Sequence, residues 1–272
     1  MFYAIDLGGS TVDILQFEES GVFYPIASID SQKTDKSDLS QIFFDANTTP
    51  EGATKIVLTG GHNRLFHTNW KGIPLQKISE IDAIGAGGMF LAKKSFGLIC
   101  SLGTGTCCVS ATKNTYQHVG GTGIGGGTFL GLSEAILGIR DFEVLKEMVS
   151  QGDPEKIDLL VEEIVGGGIG VVPGNATASN FAKAKQGTRP EDLARGIANI
   201  VGQTIASIAV FAARAEKHKD IILGGKLIFL PEIIETVKRT ANIYGQKILI
   251  PNHAEYLSAI GAGVLAQGLF PR

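Results

Sequence analysis

Near its start the chain reads Ala4-Ile5-Asp6-Leu7-Gly8-Gly9-Ser10-Thr11-Val12-Asp13-Ile14. Apolar residues run into an acid, two glycines and two hydroxyls and then resume, which predicts a β-hairpin. Glycines at a turn let backbone N–H groups come close to an anion, and an acid at the end of the first strand can hold Mg²⁺ directly or through water. The pattern therefore favours a phosphate-binding hairpin that uses Asp6, Gly8 and Gly9, with a plain structural hairpin as the alternative.

Three motifs in the first half of the chain have counterparts, in the same order, in the second half. Residues Ile99-Cys100-Ser101-Leu102-Gly103-Thr104-Gly105-Thr106-Cys107-Cys108-Val109 repeat the plan of the hairpin. An apolar run that ends in a glycine pair, Ile56-Val57-Leu58-Thr59-Gly60-Gly61, matches Ile221-Ile222-Leu223-Gly224-Gly225. Ala83-Ile84-Gly85-Ala86-Gly87 is identical to Ala259-Ile260-Gly261-Ala262-Gly263. Paired motifs in one order indicate an internal duplication.

The duplication predicts how the two halves meet. Small residues let two helices approach closely, so we expect the paired Gly/Ala helices to cross where two lobes join, with a hairpin of each lobe facing the cleft. This plan resembles the actin-like ATPase fold. The predicted class is therefore α/β, a duplicated actin-like (ribonuclease H-like) fold with lobes 1–95 and 96–272 around a nucleotide cleft. Two unrelated α/β domains with glycine-rich turns are the alternative.

Composition and charge limit the function classes. At 272 residues the chain is long enough for one large or two small domains with a substantial core. Hydrophobic residues make up 44% and charged residues 19%, which excludes a mainly disordered chain. The formal net charge of −3 offers no basic surface, so we expect no nucleic-acid partner. An anionic nucleotide is compatible with this charge, because Mg²⁺ and backbone N–H groups can bind its phosphates.

The sequence also bears on location. No basic segment with a cleavable apolar stretch stands at the start, and no apolar run approaches about 18 residues, so neither a signal peptide nor a membrane span is predicted. The three cysteines, Cys100, Cys107 and Cys108, fall in predicted strands and lack metal-ligand spacing. We interpret them as reduced core residues of a cytoplasmic protein.

Two acids stand at the start of the first Gly/Ala helix, in Ser79-Glu80-Ile81-Asp82-Ala83. Ser79 is the expected N-cap, and acids are favoured in a first helical turn because they complement the helix dipole. A carboxylate at the floor of a nucleotide cleft could instead accept the proton of an attacking hydroxyl, as phosphoryl transfer to an alcohol requires. The pattern leaves both roles open.

Two further segments predict helices. The glycine-dense segment 118–132 opens a helix, and free N–H groups at a helix start suit phosphate. Thr188 and Glu191 predict a capping box, with Pro190 in the first turn, for a helix that runs to about Lys217. The wide apolar face of that helix suits either a buried helix or a dimer interface.

Seven motifs follow one another along the chain: Asp6-x-Gly-Gly-Ser, Leu58-Thr-Gly-Gly, Glu80-x-Asp-Ala, Gly103-Thr-Gly-Thr, Val119-Gly-Gly-Thr-Gly-x-Gly-Gly-Gly, Pro173-Gly-x-x-Thr-Ala-Ser-Asn-Phe and Ala259-Ile-Gly-Ala. In this order they resemble type II pantothenate kinases, the staphylococcal and eukaryotic-like class, from end to end. The resemblance implies an enzyme that uses ATP and Mg²⁺ to phosphorylate pantothenate to 4′-phosphopantothenate, the first step of coenzyme A biosynthesis. It also implies a homodimer in which the partner helps to line the pantothenate tunnel.

The resemblance further implies roles for individual residues. The general base falls on Glu80 and the Mg²⁺-associated acid on Asp6. The phosphate-binding turns fall on Gly8, Gly9, Ser10 and Thr11 and on Gly103, Thr104, Gly105 and Thr106. The segment that borders the phosphates falls on Gly121, Thr122, Gly123, Gly125, Gly126 and Gly127. Adenosine would lie beside Gly224 and Gly225, and pantothenate beside His118 and Gly120.

Two positions depart from the family pattern. His118 stands where the family usually has an arginine that contacts pantothenate and the reaction centre, and Asp13 stands where it usually has a lysine. Histidine lacks the forked donors and the permanent charge of arginine. If the arginine stabilises charge in the transition state, its loss lowers the rate by orders of magnitude. The sequence therefore supports ATP binding more strongly than pantothenate as the acceptor.

Two other functions stay open. One is a related kinase that acts on another small alcohol, with His118 marking the changed acceptor site. The other is a nucleotide-dependent ATPase switch that activates or senses. Known activators of that kind hold an iron–sulfur cluster between subunits through cysteines, and the core positions predicted for Cys100, Cys107 and Cys108 argue against this variant.

Overall fold

The computed structural model describes residues 1–113 and 115–269. Its first sheet has strands β1 Phe2–Leu7, β2 Thr11–Phe17, β3 Phe23–Asp30, β4 Ile56–Thr59, β5 Asn69–Trp70 and β6 Ile73–Lys77. The second sheet contains β7 Phe96–Leu102, β8 Thr106–Thr112, β9 Tyr116–Thr122, β12 Asp220–Gly224 and β13 Lys247–Leu249. Strands β10 Leu159–Leu160 and β11 Thr177–Ser179 form a separate small sheet.

Among the described residues, the α-helices are α1 Leu39–Asp45, α2 Glu80–Ala92, α3 Gly126–Leu137, α4 Phe142–Gln151, α5 Val161–Val165, α6 Pro190–Ala215, α7 Pro231–Ile243 and α8 Leu257–Ala266. Short 3₁₀-helices lie at Asn63–Leu65, Pro154–Lys156, Lys226–Phe229 and Ala254–Tyr256. Both predicted hairpins are present. The predicted cap of α2 is present too, because the Ser79 side chain accepts a hydrogen bond from the Asp82 N–H. Helix α1 has its own cap, Asp38.

Strand order confirms the duplication. The first sheet runs β3-β2-β1-β4-β6-β5, and the second runs β9-β8-β7-β12-β13. In each sheet the first hairpin strand pairs antiparallel with the next strand and parallel with the strand that ends in a glycine pair. Strand β4 is buried at every position, as expected for a parallel strand covered on both faces. The two halves are therefore copies of one unit.

Helices α2 and α8 cross between the sheets, as predicted from their small residues. A side chain at Gly261 would overlap the carbonyl oxygen of Ala83, and one at Gly87 would overlap the carbonyl oxygen of Leu257. The two backbones thus meet with no side chain between them. Helix α8 also packs on the first sheet, with Ala259 and Ile260 in one core with its strands. The division of the chain into lobes at residue 95 stays a prediction. Helix α8 packs on the first sheet although it lies in the second half of the sequence.

Helix α6 forms the core of the second lobe. Of the described residues, it is the one helix long and apolar enough to cross a membrane, and 61% of its most apolar window is buried inside the protein. Its apolar face therefore packs in the core, which agrees with the interpretation of α6 as a buried helix and not with that of a dimer interface. The prediction of a capping box at Thr188 and Glu191 is wrong. The N-cap is Arg189, and the Thr188 hydroxyl bonds the backbone of Lys185 instead, which closes the preceding turn.

The helix crossing generates a stability prediction. Gly261→Ala should lower the free energy of unfolding by roughly 3 kcal/mol, because the added methyl group meets backbone that cannot move aside without separating α2 and α8. The matched control is Gly131→Ala on α3, where a methyl group meets nothing within 4 Å. That change should raise stability by about 0.5–1 kcal/mol. Chemical denaturation of both variants checks this, and equal stabilities would contradict it.

Candidate active site

The two hairpin turns meet across the cleft between the lobes. Ser10 Oγ and Thr104 Oγ1 are hydrogen-bonded at 2.8 Å. A side chain at Gly9 would begin 2.5 Å from Thr104 Oγ1, so only glycine permits this approach. The first turn, Gly8 to Thr11, and the second, Gly103 to Thr106, thus lie together, as the sequence predicted.

The second turn is braced by the start of α3. Gly126 N donates to Gly103 O at 2.8 Å, and Gly127 N donates to Thr104 O at 2.9 Å. Gly125 packs directly on Gly105, where a side chain would begin 2.7 Å from that backbone. These N–H groups are therefore occupied in this structure. They shape the second turn, and contact of Gly125, Gly126 and Gly127 with a phosphate stays a prediction.

The rest of the glycine-rich segment lies against β8. Thr106 pairs with Thr122 and Cys107 with Gly121, and the Thr106 hydroxyl donates to Ile124 O at 2.8 Å. Gly120 and Gly123 have open space where a side chain would begin. Nucleotide contact by Gly121, Thr122 and Gly123, and substrate contact by Gly120, stay predictions.

The first turn is supported by the segment after β3, which the sequence analysis did not assign to the site. The Ser31 hydroxyl donates to Gly9 O at 2.6 Å, and Ser31 N donates to Ser10 O at 2.9 Å. The Lys36 ammonium donates to Gly8 O at 3.5 Å. Lys36 thus brings a positive charge to the turn, and its polar, turn-rich surroundings in the sequence carry no signal of this role.

Asp6 is the second-last residue of β1 and lies close to other acidic side chains. It lies opposite Asp13 in the β1–β2 register, and a side chain at Gly60 would begin 2.6 Å from Asp6 Oδ1. Burial raises the pKa of Asp6 to about 8, the charges of Asp13 and Glu80 add to the rise, and Lys226 opposes it. With this pKa, the Asp6 carboxyl is mostly protonated at pH 7 when no cation is beside it. A small part of the residue remains accessible to solvent.

Lys226 is the second positive charge at the site. Its Nζ lies 2.9 Å from Asp13 Oδ1 and 4.0 Å from the centre of the Tyr256 ring. Burial raises the pKa of Asp13, and the Lys226 charge opposes this rise. No motif marks Lys226 in the sequence, and the fold brings it to Asp13 from the other lobe.

Glu80 lies near Asp6, and His118 lies on the sheet face against which α2 packs. Glu80 is the first residue of α2 and is exposed, and its charge raises the pKa of both Asp6 and Cys107. His118 lies opposite Val109 in the β8–β9 register, on the face of the sheet that packs on α2. The structure thus brings the predicted base close to the predicted Mg²⁺ acid, with the predicted substrate residue on the neighbouring sheet face.

The glycine pair after β12 lies beside the second turn. Gly225 has a φ of 96°, and a side chain there would overlap the carbonyl oxygen of Leu102, just before the turn. A side chain at Gly224 would begin 2.7 Å from Ala254 O. Only glycine fits at either position. Contact of Gly224 and Gly225 with adenosine stays a prediction.

The cysteines lie in the hairpin strands of the second lobe. Cys100 and Cys108 are buried opposite each other, with 3.3 Å between their sulfur atoms, while Cys107 faces the other side of the sheet and is partly accessible. Among residues 1–113 and 115–269, no three His, Cys, Asp or Glu side chains form a group that could hold a metal ion. The predicted core positions of Cys100 and Cys108 are confirmed.

Comparison with known proteins gives consistent matches. Residues 96–265 match the sequence model of the family described as Fumble. A type II pantothenate kinase of Staphylococcus aureus is 27% identical over 274 residues, which covers 96% of this chain and 98% of that protein. One from Bacillus cereus is 29% identical over 186 residues, which covers 65% of this chain and 68% of that protein.

Solved structures resemble the whole chain. The activator of the 2-hydroxyisocaproyl-CoA dehydratase from Clostridium difficile, with bound ADPNP, has a TM-score of 0.66 and 16% identity, covering 98% of this chain and 94% of that one. A ROK family glucokinase from Streptomyces griseus, in complex with glucose and AMPPNP, has a TM-score of 0.59 and 13% identity, covering 97% and 98%. At these identities the likeness shows the fold alone, and it confirms the predicted class.

The raised pKa of Asp6 predicts that the free energy of unfolding depends on pH. Between pH 4 and 8 the folded protein holds a proton on Asp6 that the unfolded chain has lost, so stability contributed by this residue falls as pH rises through that window. Asp6→Asn removes the titration. In metal-free buffer, its free energy of unfolding relative to the native protein should increase from pH 4 to pH 8 and then level off. A difference that is constant from pH 4 to pH 8 would contradict the assignment.

Proposed function

The chain belongs to the Fumble family, and we propose that it is an ATP-dependent pantothenate kinase that forms 4′-phosphopantothenate, the first step of coenzyme A biosynthesis. The relatives named type II pantothenate kinase align with nearly the whole chain. The observation that carries the proposal is the meeting of both hairpin turns in one cleft that also holds Asp6 and Glu80. Pantothenate is therefore the acceptor to test first.

ATP would bind with its phosphates between the two turns. The Ser10 and Thr104 hydroxyls, which bond each other in this structure, are placed to exchange that bond for phosphate oxygens. Backbone N–H groups at glycine turns suit the same anion. The glycines at both turns supply the close approach that a phosphate needs.

The residues beside the two turns offer Mg²⁺ only part of its coordination shell. Asp6 offers carboxylate oxygens, which this ion prefers, and the described residues offer no group of three protein ligands. Phosphate oxygens and water would therefore complete its shell. When bound, the ion would neutralise charge on the phosphate groups. A cation beside Asp6 would also favour the charged carboxylate over the protonated form.

Glu80 would act as the general base. It stands in the first turn of α2. It would take the proton of the pantothenate hydroxyl as that oxygen attacks the terminal phosphorus in line, while the bond from this phosphorus to ADP breaks and ADP leaves. His118 and Gly120 on β9 would line the acceptor side. The exposure of His118 leaves room for a substrate beside the α2 face of the sheet.

A homodimer and a cytoplasmic location are both proposed from the same family relationship. Exposed apolar side chains support a dimer contact near α5: Ile164, Val165, Ile169 and Val171 are each at least half exposed. The apolar face of α6 is not the contact, because it is buried within its own lobe.

Glu80→Gln tests the base. The variant should lose pantothenate-dependent ADP release by on the order of 10²–10⁴-fold while it still binds Mg²⁺-ATP, because an amide cannot accept the proton. Asp82→Asn is the matched control, since it removes the other acid of the same helical turn. It should keep the rate within a few-fold. Full turnover by the Glu80 variant would overturn the role.

His118→Arg tests the acceptor. Pantothenate should stimulate ADP release by the native protein, and arginine should raise the stimulated rate about tenfold or more, because its fork can hold developing charge. No stimulation in either form would exclude pantothenate, and a screen of small alcohols would follow. Steady hydrolysis of ATP without any acceptor would favour the ATPase switch.

A further inference from the structure

Lys226 reaches across the cleft between the lobes. It begins the 3₁₀-helix Lys226–Phe229 of the second lobe, directly after the Gly224-Gly225 pair. Its ammonium forms an ion pair at 2.9 Å with Asp13, which lies on β2 of the first lobe. The pair therefore joins the two lobes at the floor of the cleft, next to Asp6 in the β1–β2 register.

The position of the Lys226 ammonium is fixed from both ends. Its backbone follows Gly225, which packs without a side chain on Leu102 at the entry to the second turn. The ammonium lies over the Tyr256 ring, 4.0 Å from its centre. A cation–π contact of this kind holds a positive charge without neutralising it. Lys226 is thus held between the strand that leaves the first turn and the strand that enters the second.

The ion pair leaves the ammonium available to a ligand. The Asp13 side chain is 6% exposed, whereas the Lys226 side chain is 26% exposed. The carboxylate is therefore enclosed while its partner keeps contact with solvent. A lysine ammonium has three donors, and Asp13 does not use all of them. Asp13 and Glu80 also make this part of the cleft acidic, so a polyphosphate needs positive charge from the protein or from bound cations to enter it.

We propose that Lys226 is a ligand of the terminal phosphate of a nucleoside triphosphate, held in the cleft by Asp13 until the nucleotide binds. This rests on the proposed function only in placing ATP between the two turns, and it does not depend on the acceptor. A terminal phosphate carries more charge than one carboxylate and accepts charge-assisted hydrogen bonds well. Because Lys226 comes from the second lobe, its contact would draw that lobe onto phosphates held by the first.

Titration calorimetry of Mg²⁺-ATP and Mg²⁺-ADP, without pantothenate, tests this. Lys226→Met should weaken ATP binding by about 10–100-fold and ADP binding by less than threefold, because only ATP has the terminal phosphate. Lys226→Arg should restore most of the ATP affinity. Lys94→Met is the matched control, because Lys94 forms a 2.8 Å ion pair with Asp220, at the opposite end of β12 from Gly224 and the second turn. It should leave both affinities unchanged.

Asp13→Asn separates a ligand from a structural contact. It releases the ammonium, so ATP should bind as tightly as in the native protein or more tightly. If Asp13→Asn and Lys226→Met both weaken ATP and ADP equally, the ion pair only holds the lobes together and the proposal is overturned. A native protein that binds neither nucleotide would overturn it together with the ATP site. Normal ATP binding without pantothenate-dependent turnover would overturn the acceptor alone.

Discussion

The backbone contact between α2 and α8 is the constraint on which the rest of the structure depends. Gly87 and Gly261 bring the two helices together with no side chain between them. This separation sets how near the two sheets lie, and hence whether the turn of each sheet can reach the other. The hydrogen bond between Ser10 and Thr104 is possible only at that spacing. A site made from two copies of one unit thus depends on glycines that lie outside both of its turns.

The electrostatics of the cleft favour occupancy by a nucleotide with its cation. Asp6 is mostly protonated because it is buried beside two other acids, and the ammonium groups at the site, those of Lys36 and Lys226, are paired with protein oxygens. In the proposed function, phosphate oxygens would replace the protein oxygens at Lys36 and Lys226, and Mg²⁺ would replace the proton of Asp6.

Much of the fold could be predicted because duplication repeats the local signals. The two hairpins, the glycine pairs and the identical Ala-Ile-Gly-Ala-Gly segments all read correctly from the sequence. Cations of the site could not be predicted, since Lys36 and Lys226 reach the turns through tertiary packing and not through a motif. Local rules also competed: Thr188 satisfies a capping pattern but closes the turn before α6. The N–H groups of Gly126 and Gly127 suit phosphate by sequence, yet they bond the neighbouring turn.

The return of α8 to the first sheet bears on how the protein is made. A chain that emerges from the ribosome N-terminus first completes the strands of its first sheet within 77 residues. One apolar face of that sheet, with α2 against it, is complete only when residues 257–266 arrive, and the Lys55 ammonium then bonds the carbonyl oxygen of Ala266 at 2.7 Å. The first lobe therefore cannot mature independently during synthesis. Both halves become native only after α8 has been made, and a ribosome that stops before α8 releases a product whose first sheet is partly exposed.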